Sequence, residues 1–167
     1  MVDDAVLIAL GSSLSGRFAT REALLEAALA RFPAAGLKVV KRSSWWRSAS
    51  WPDPTLPDYI NALVLVETTR PPLEALGALR RIEREFGRLR TELNAPRTLD
   101  LDLIAYGRKV LNSRELMLPH PRAHARLFVI GPLAEIAPDW THPVLGETAA
   151  ALAERASVGL DARPFSP

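Results

Sequence analysis

Residues 97–106 read Arg-Thr-Leu-Asp-Leu-Asp-Leu-Ile-Ala-Tyr, and the first part of this stretch alternates leucine with aspartate. Successive side chains of a β-strand point to opposite faces of the sheet. The three leucines therefore share the core-facing side, whereas Asp100 and Asp102 share the other side. The Cα atoms of these two aspartates lie roughly 7 Å apart in such a strand. The stretch predicts a strand that is buried on one face and carries two carboxylates on the other.

Five other segments surround this strand in a β-α-β-β-α-β order. Those that read as strands are apolar or β-branched runs, and those that read as helices place leucine and alanine at helical spacing. The strands are residues 5–11, 37–42 and 59–68, and the helices are residues 20–32 and 72–86. This is the order of the ferredoxin-like split βαβ unit, so we predict an α+β fold with helices packed on one face of an antiparallel sheet.

The remaining segments add to this unit without indicating a second domain. Residues 43–57 hold three Trp, three Pro and four Ser, which is typical of a long loop. Residues 123–136 and 147–156 favour additional C-terminal helices, despite Pro132 in the first of them. We expect residues 157–167 to form a frayed tail. The 167 residues are thus expected to form a single domain.

The composition narrows the class of protein. Of the 167 residues, 48% are hydrophobic and 24% are charged, which suits a globular domain rather than a disordered chain. No apolar run approaches the roughly 20 residues that span a bilayer. The chain contains no cysteine, and its acidic start Met1-Val2-Asp3-Asp4 does not fit a secretory signal peptide. We therefore expect a cytoplasmic protein without membrane partners, disulfides or thiol chemistry.

The cationic residues are almost all arginine. The net charge of +2 does not indicate a nucleic-acid partner, but 18 of the 21 cationic residues are Arg. Codon usage in a GC-rich genome could explain the total, so the clustering of arginines is the better clue. Arg88, Arg90 and Arg97 lie within ten residues, in the polar stretch that leads into the aspartate strand. The planar guanidinium group suits the binding of phosphate.

The two aspartates have two interpretations. They could simply form the solvated face of a half-exposed strand. Alternatively, neighbouring carboxylates repel unless a cation lies between them, and Mg²⁺ is commonly held by one or two carboxylates together with phosphate oxygens. The nearby arginines favour the second interpretation, because metal ions and arginines together stabilise the charge that develops in phosphoryl transfer.

Other side chains suggest a nucleotide and a flat ring as ligands. His120 lies in a Pro-His-Pro turn, and Arg122 and Arg126 follow it closely. Tyr59 and Asn61 share one strand face, where an aromatic ring beside an amide suits a heterocycle with an amide edge. Both groups could equally be structural. The sequence lacks the glycine-rich patterns of P-loop and Rossmann proteins.

These segments resemble the 6-hydroxymethyl-7,8-dihydropterin pyrophosphokinase family from about Val6 to Leu152. The most specific segment is residues 96–103, Pro-Arg-Thr-Leu-Asp-Leu-Asp-Leu. Order and spacing also agree in the supporting segments, which are residues 8–12, 58–62, 81–83, 87–90, 118–122 and 128–138. The resemblance implies that the terminal pyrophosphoryl group of ATP is transferred to the hydroxymethyl oxygen of the pterin, with attack at the β-phosphorus and release of AMP, in folate biosynthesis.

The resemblance also implies a role for each candidate residue. Asp100 and Asp102 match the carboxylates that hold two Mg²⁺ ions, and Arg88 and Arg97 match catalytic arginines. The positions that match nucleotide contacts are Arg90, His120 and Arg126. The positions that match pterin contacts are Ser48, Tyr59, Asn61 and Phe128. Glu83 matches an acidic position without an assigned role. ATP and the pterin would be its small-molecule partners, without nucleic acid or membrane, and we expect a monomer, while an oligomer and an association with other folate enzymes stay open on the sequence.

Six positions depart from the family pattern, including Ser48 where Thr is frequent, Trp51 where Leu is common and Ala95 where Gly is frequent. The other three bear most on the ligand site. Ser13 stands where Asn is usual, Pro52 where Gly is common, and Asn94 where a Trp commonly covers the bound pterin. These changes bear on pterin binding more than on the chemistry. Two other functions stay open on the sequence: a non-catalytic ferredoxin-like module that binds a nucleotide or pterin, and a metal-dependent nucleotide hydrolase that uses the same two aspartates.

Overall fold

An antiparallel sheet organises the computed structural model, which describes residues 4–50, 52–87 and 98–166. Its strands are β1 Val6–Ser12, β2 Lys38–Arg42, β3 Trp46–Ser48, β4 Tyr59–Glu67, β5 Asp100–Tyr106 and β8 Arg163–Pro164, while β6 Leu111–Asn112 and β7 Met117–Leu118 form a separate hairpin. The helices are α1 Arg21–Leu29, α2 Pro72–Glu85, α3 Leu127–Ile136 and α4 Ala149–Glu154. In the described ranges, no helix is long and apolar enough to cross a membrane.

The sheet has the strand order of a ferredoxin-like domain. The order is β5-β1-β4-β3-β8, and β2 pairs with β4 on the same side as β3. The neighbours β1–β4, β1–β5, β2–β4 and β3–β4 are all antiparallel. With α1 and α2 as the two crossovers, this confirms the predicted α+β fold and the βαββαβ order.

The sheet is covered on both faces, whereas the sequence predicted helices on one face only. One core lies between the sheet and α1 and α2, and includes the leucines of β5. A second core on the other face packs α3 and α4 against alternate residues of β1 and β4, with Trp140 buried among them. The C-terminal helices therefore cover part of the sheet face that carries the aspartates.

The segment 43–57 is not a continuous loop, and the tail is tied down. β3 pairs with β4, with Trp46 opposite Asn61. In turn, β8 pairs with β3, so residues predicted to fray form an edge strand instead. Strands of two or three residues carry no recognisable periodicity, and these two depend on pairing with neighbours that are distant in the sequence.

Helix α2 buries Leu79 and Ile82 of its apolar stripe, and Phe86 directly after it is also buried, whereas its first leucine is exposed. Leu73 is 54% exposed, whereas Ala75, Leu79 and Ile82 are buried. Two residues correspond to about 200° around an α-helix, so Leu73 and Ala75 lie on opposite sides. Alanine at position 75 brings the first turn of α2 close to the sheet.

Helix α3 packs against β3 through a glycine and a tryptophan. A Cβ atom at Gly131 would lie 2.6 Å from the Trp46 ring. Glu135, one turn further along α3, accepts hydrogen bonds from the Trp46 indole N–H at 2.9 Å and from the Ser44 backbone N–H at 2.7 Å. The carboxylate therefore holds the indole over the glycine.

Gly131→Ala is expected to lower the free energy of unfolding by about 1–3 kcal/mol, because the added methyl overlaps the Trp46 ring. Gly77→Ala in α2 is the matched control, since nothing lies within 4 Å of its Cβ position. This control should stabilise the protein by about 0.4–1 kcal/mol, because alanine lowers the conformational entropy of the unfolded chain. Urea unfolding of both variants tests the packing, and equal effects at the two glycines would contradict it.

Candidate active site

A cleft opens on the sheet face that carries the aspartates. The candidate residues that line it are Ser48, Tyr59, Asn61, Asp100, Asp102, Arg126 and Phe128. Ala9, Leu10, Gly11, Ala49 and Val129 complete the lining. The structure thus brings seven residues from four separate segments to one site.

The two carboxylates enter the cleft from β5. Leu99, Leu101 and Leu103 are buried in the core beneath, while Asp100 and Asp102 are half-buried on the other face, as the alternation predicts. In the pairing with β1, Asp100 lies opposite Gly11 and Asp102 lies opposite Ala9. Small residues at both partner positions leave room beside the carboxylates for a ligand.

The backbone between the two aspartates is fixed by α2. The Leu101 N–H donates to Glu83 Oε2 at 2.8 Å, and Arg80 Nη1 donates to the Leu101 carbonyl at 2.9 Å. Arg80 Nη1 also donates to Glu83 Oε1 at 2.8 Å. Because β5 is the terminal strand of the sheet, these side chains replace the missing neighbouring strand at Leu101.

Glu83 is the site residue whose place sequence reasoning missed. The sequence assigns no role to Glu83, but in the structure the residue is only 1% exposed. Its position four residues after the buried Leu79 is the signal that could have placed it on the sheet-facing stripe. A carboxylate at such a position indicates a buried donor, which here is the Leu101 N–H.

The amide and the tyrosine come from the start of β4. Asn61 is buried, and its Nδ2 donates to Ser48 Oγ at 2.9 Å. A Cβ atom at Gly11 would lie 3.5 Å from Asn61 Oδ1 and 3.5 Å from the Tyr59 ring. The glycine of β1 therefore brings the amide and the ring next to the strand that carries the aspartates.

Asp58 anchors the start of β4 just before Tyr59. Arg21 Nη1 donates to Asp58 Oδ1 at 2.7 Å, and Arg47 Nε donates to the other carboxylate oxygen. Burial raises the pKa of Asp58, but the hydrogen bonds from Arg47 and Arg21 outweigh it and lower the pKa below its ordinary value. The carboxylate thus ties the N-terminus of α1 and the strand β3 to the residue before Tyr59.

The opposite wall of the cleft comes from the start of α3. Phe128 lies there, with the Arg126 guanidinium 5.8 Å from the centre of its ring. Burial lowers the pKa of Arg126, while the charges of Asp102 and Asp100 act in the opposite direction. Arg126 therefore connects the aromatic wall to the carboxylates.

His120 lies beside the cleft, on a turn that follows a cis Leu118–Pro119 peptide bond. The pairing of β1 with β5 is shifted so that Ile104 is an extra residue, and the His120 N–H donates to its carbonyl at 2.8 Å. His120 Nδ1 accepts from the Arg122 N–H at 3.1 Å. Burial, and then the charges of Arg126 and Arg122, lower the pKa of His120 to about 4. The imidazole is therefore neutral near pH 7, with its proton on Nε2.

Acidification should destabilise the protein partly through His120. Its pKa is about 4 in the folded chain, against about 6.5 when unfolded, so the unfolded chain binds more protons between these values. The stability that this group contributes is complete above pH 6.5 and is lost as the pH falls towards 4. His120→Asn is expected to flatten the fall of the urea midpoint between pH 7 and pH 4.5. Parallel curves for the two proteins would contradict this.

Three predicted arginines lie outside the described residues. Arg88, Arg90 and Arg97 belong to the segment 88–97, and so does Asn94, so their roles stay predictions. The described residues on either side of that segment meet at the start of β5, because Thr98 Oγ1 donates to the Phe86 carbonyl at 2.7 Å. Of the other two departures that bear most on the ligand site, Ser13 is buried and Pro52 is exposed.

Comparison with known proteins agrees with the resemblance. The chain is 49% identical over 121 residues to a 2-amino-4-hydroxy-6-hydroxymethyldihydropteridine pyrophosphokinase of Synechocystis, which covers 72% of this chain and 62% of that relative. A Haemophilus influenzae protein of the same name is 40% identical over 136 residues, covering 81% and 83% of the two chains. The folic acid synthesis protein fol1 of Pneumocystis carinii is 38% identical over 99% of this chain, which spans 22% of that protein.

Solved structures support the fold. The HPPK-DHPS protein of Plasmodium falciparum, crystallised with pteroate, superposes with a TM-score of 0.67 at 14% identity, covering 90% of this chain and 42% of that one. The sequence model of the 7,8-dihydro-6-hydroxymethylpterin-pyrophosphokinase (HPPK) family matches residues 7–138. Because this match takes in both the central sheet and the cleft, the chain belongs to the HPPK family.

Proposed function

We propose that this chain transfers the terminal pyrophosphoryl group of ATP to the hydroxymethyl group of 6-hydroxymethyl-7,8-dihydropterin, releasing AMP, as a step of folate biosynthesis. The observation that carries the proposal is that one cleft is lined by two half-buried carboxylates, a buried amide and two aromatic side chains. The names of relatives that share 40–49% identity support the same reaction. ATP and the pterin are the only partners it requires, so we expect a monomer to suffice.

One part of the cleft, lined by Ser48, Tyr59, Asn61 and Phe128 and called the ring end below, suits a pterin. Asn61 offers an amide whose donor and acceptor can pair with the amide edge of a heterocycle, and Ser48 fixes the amide orientation. Tyr59 and Phe128 also line the cleft, and we propose that they stack on the two faces of the ring. A flat ring between two aromatic side chains gains both apolar burial and stacking. We assign these four residues to the pterin.

The part of the cleft lined by Asp100 and Asp102 suits magnesium ions and phosphate groups. Asp100 and Asp102 provide hard oxygen ligands on one strand face, which is the donor set that Mg²⁺ shares with substrate phosphates, and we propose that they hold two ions. Bound there, Mg²⁺ would neutralise phosphate charge and align the attacking and leaving oxygens. We propose that Arg126 and the Nε2–H of His120 donate to the nucleotide, and that Arg90 joins them.

The proposed reaction forms one P–O bond and breaks another. The pterin hydroxymethyl oxygen attacks the β-phosphorus of ATP in line, and the bond from that phosphorus to the oxygen bridging the α-phosphorus breaks. AMP leaves with the bridging oxygen, and the hydroxyl proton passes to solvent. We propose that Arg88 and Arg97 stabilise the charge that develops on the transferred group. Binding both substrates in one cleft supplies the proximity that the reaction needs.

Product analysis tests the proposal and separates it from the two other functions. Protein, ATP and 6-hydroxymethyl-7,8-dihydropterin are incubated with and without Mg²⁺, and the products are quantified by ³¹P NMR and chromatography. We expect AMP and the pterin pyrophosphate in equal amounts, and only with Mg²⁺. Hydrolysis of ATP at the same rate without the pterin would identify a nucleotide hydrolase. Binding of both ligands without any product would identify a non-catalytic module.

A further inference from the structure

The C-terminal segment, residues 157–165, contacts two separate elements that supply residues to the cleft, namely the start of α3 and the end of β3. It lies outside residues 7–138, the part of the chain that the family model matches. Ala162 anchors the segment in the protein, being 7% exposed. Different residues of the segment make the two sets of contacts, so the segment links these two elements.

The first set of contacts lies at the start of α3, beside which the segment runs. The Val158 carbonyl accepts a hydrogen bond from the Leu127 N–H at 2.9 Å, and the Val158 N–H donates to the Ala125 carbonyl at 2.9 Å. Gly159 follows with a φ of 67°, a conformation that favours glycine. A Cβ atom there would lie 2.4 Å from Cδ1 of Phe128. The Gly159 backbone therefore packs directly against the ring that lines the cleft.

The second set of contacts is with β3 and with Ala49, the residue that follows this strand. Asp161 Oδ2 accepts a hydrogen bond from the Ala49 N–H at 2.7 Å, and Ala49 lines the cleft. Arg163 pairs with Arg47, the residue before Ser48. The position of Ser48, and with it the orientation of the Asn61 amide, thus depends on the same nine residues, 157–165.

We propose that the C-terminal segment sets the width of the ring end of the cleft, with Gly159 and Asp161 as positioning residues for the pterin. The inference rests on the proposed function, in which the pterin stacks between Tyr59 and Phe128 and pairs with the Asn61 amide that Ser48 orients. A ring keeps both its stacking and its hydrogen bonds only when Phe128 and Ser48 stay at a fixed separation. Fixing both residues to one short segment keeps that separation constant.

Gly159→Ala is the direct test, with Gly146→Ala as the matched control. Both glycines have positive φ, 67° and 71°, but nothing lies within 4 Å of the Cβ position of Gly146. The two variants therefore share the backbone strain and differ in the contact with Phe128. We expect Gly159→Ala to raise the KM and the Kd of the pterin roughly tenfold, with little change in kcat or in the Kd of ATP. The control should leave all four constants within about twofold.

A second experiment substitutes Asp161. Asp161→Ala removes the acceptor for the Ala49 N–H, whereas Asp161→Asn keeps an oxygen in the same place. We expect the pterin Kd to rise in the first variant and to return close to the wild-type value in the second. Asp161 is exposed, so neither variant should prevent folding, which circular dichroism checks.

Each outcome decides one question. If the wild-type protein makes no pterin pyrophosphate, the proposed function fails whatever the variants do. If the wild-type protein is active and Gly159→Ala binds the pterin as tightly as Gly146→Ala does, only the present inference is overturned. Equal losses of pterin and ATP affinity in Gly159→Ala would also overturn it, because they would indicate a general loss of structure.

Discussion

Asp102→Asn is expected to lower kcat at least about a thousandfold, since a metal site supplies several kcal/mol of transition-state stabilisation and each 1.36 kcal/mol is tenfold in rate. Asp102 shares a strand face with Asp100, so an amide in its place removes half of the negative charge that would hold the metal. Asparagine preserves size and leaves the pairing with Ala9 in β1 unchanged. Steady-state assays at saturating ATP and Mg²⁺ measure the loss.

Asp139→Asn is the matched control. Asp139 is exposed and follows the far end of α3, so its variant should keep wild-type activity. Metal binding gives a readout that does not depend on turnover. Mn²⁺ titrations followed by electron paramagnetic resonance, with ATP present, should show weaker binding in Asp102→Asn and no change in Asp139→Asn. Tight Mn²⁺ binding in Asp102→Asn, or residual activity near one tenth, would contradict the role of the carboxylate.

The main sheet and the aspartate strand could be predicted from the sequence because their signals are local. The alternation in residues 99–103 fixes which side chains are buried, and the structure confirms each of them. The order of strands and helices then determines the ferredoxin-like topology, since few arrangements satisfy that order. The cleft follows from this topology, because Gly11, Asn61 and Asp100 lie side by side on three neighbouring strands.

The parts of the fold and of the site that could not be predicted depend on contacts between segments that are distant in the sequence. The edge strand β8 exists only because β3 offers a partner, and two residues have no periodicity of their own. Gly159 shows no sign in the sequence that it packs on Phe128. The burial of Glu83 likewise requires a backbone N–H 18 residues further along the chain. Such contacts become visible only once the elements are packed.

The contact of Glu83 with Leu101 gives the second large expected effect. The carboxylate accepts from the Leu101 N–H with one oxygen and from Arg80 with the other. Glutamine in its place keeps one acceptor but presents an N–H₂ group to one of these two donors. Leaving a buried donor without its acceptor costs about 1–3 kcal/mol, so we expect Glu83→Gln to lower the free energy of unfolding by that amount.

Glu85→Gln is the control on the same helix. Glu85 is exposed and forms a surface ion pair with Arg31 at 3.5 Å within the part of the chain that the structure describes, so the expected change in stability is within about 0.5 kcal/mol. Urea unfolding compares the two variants under the same conditions. Equal stability of Glu83→Gln and Glu85→Gln would contradict the contribution of the Leu101 contact.

The metal affinity of Glu83→Gln distinguishes positioning from simple support of the fold. Glu83 fixes the one residue that separates Asp100 from Asp102, so a shift of Leu101 changes the spacing of both carboxylates. Residues that orient metal ligands typically contribute 10–100-fold to metal affinity. We therefore expect the half-saturating Mg²⁺ concentration, measured at saturating ATP where the variant is fully folded, to rise about tenfold or more. A less stable variant with unchanged Mg²⁺ dependence would show that Glu83 supports the fold without positioning the aspartates.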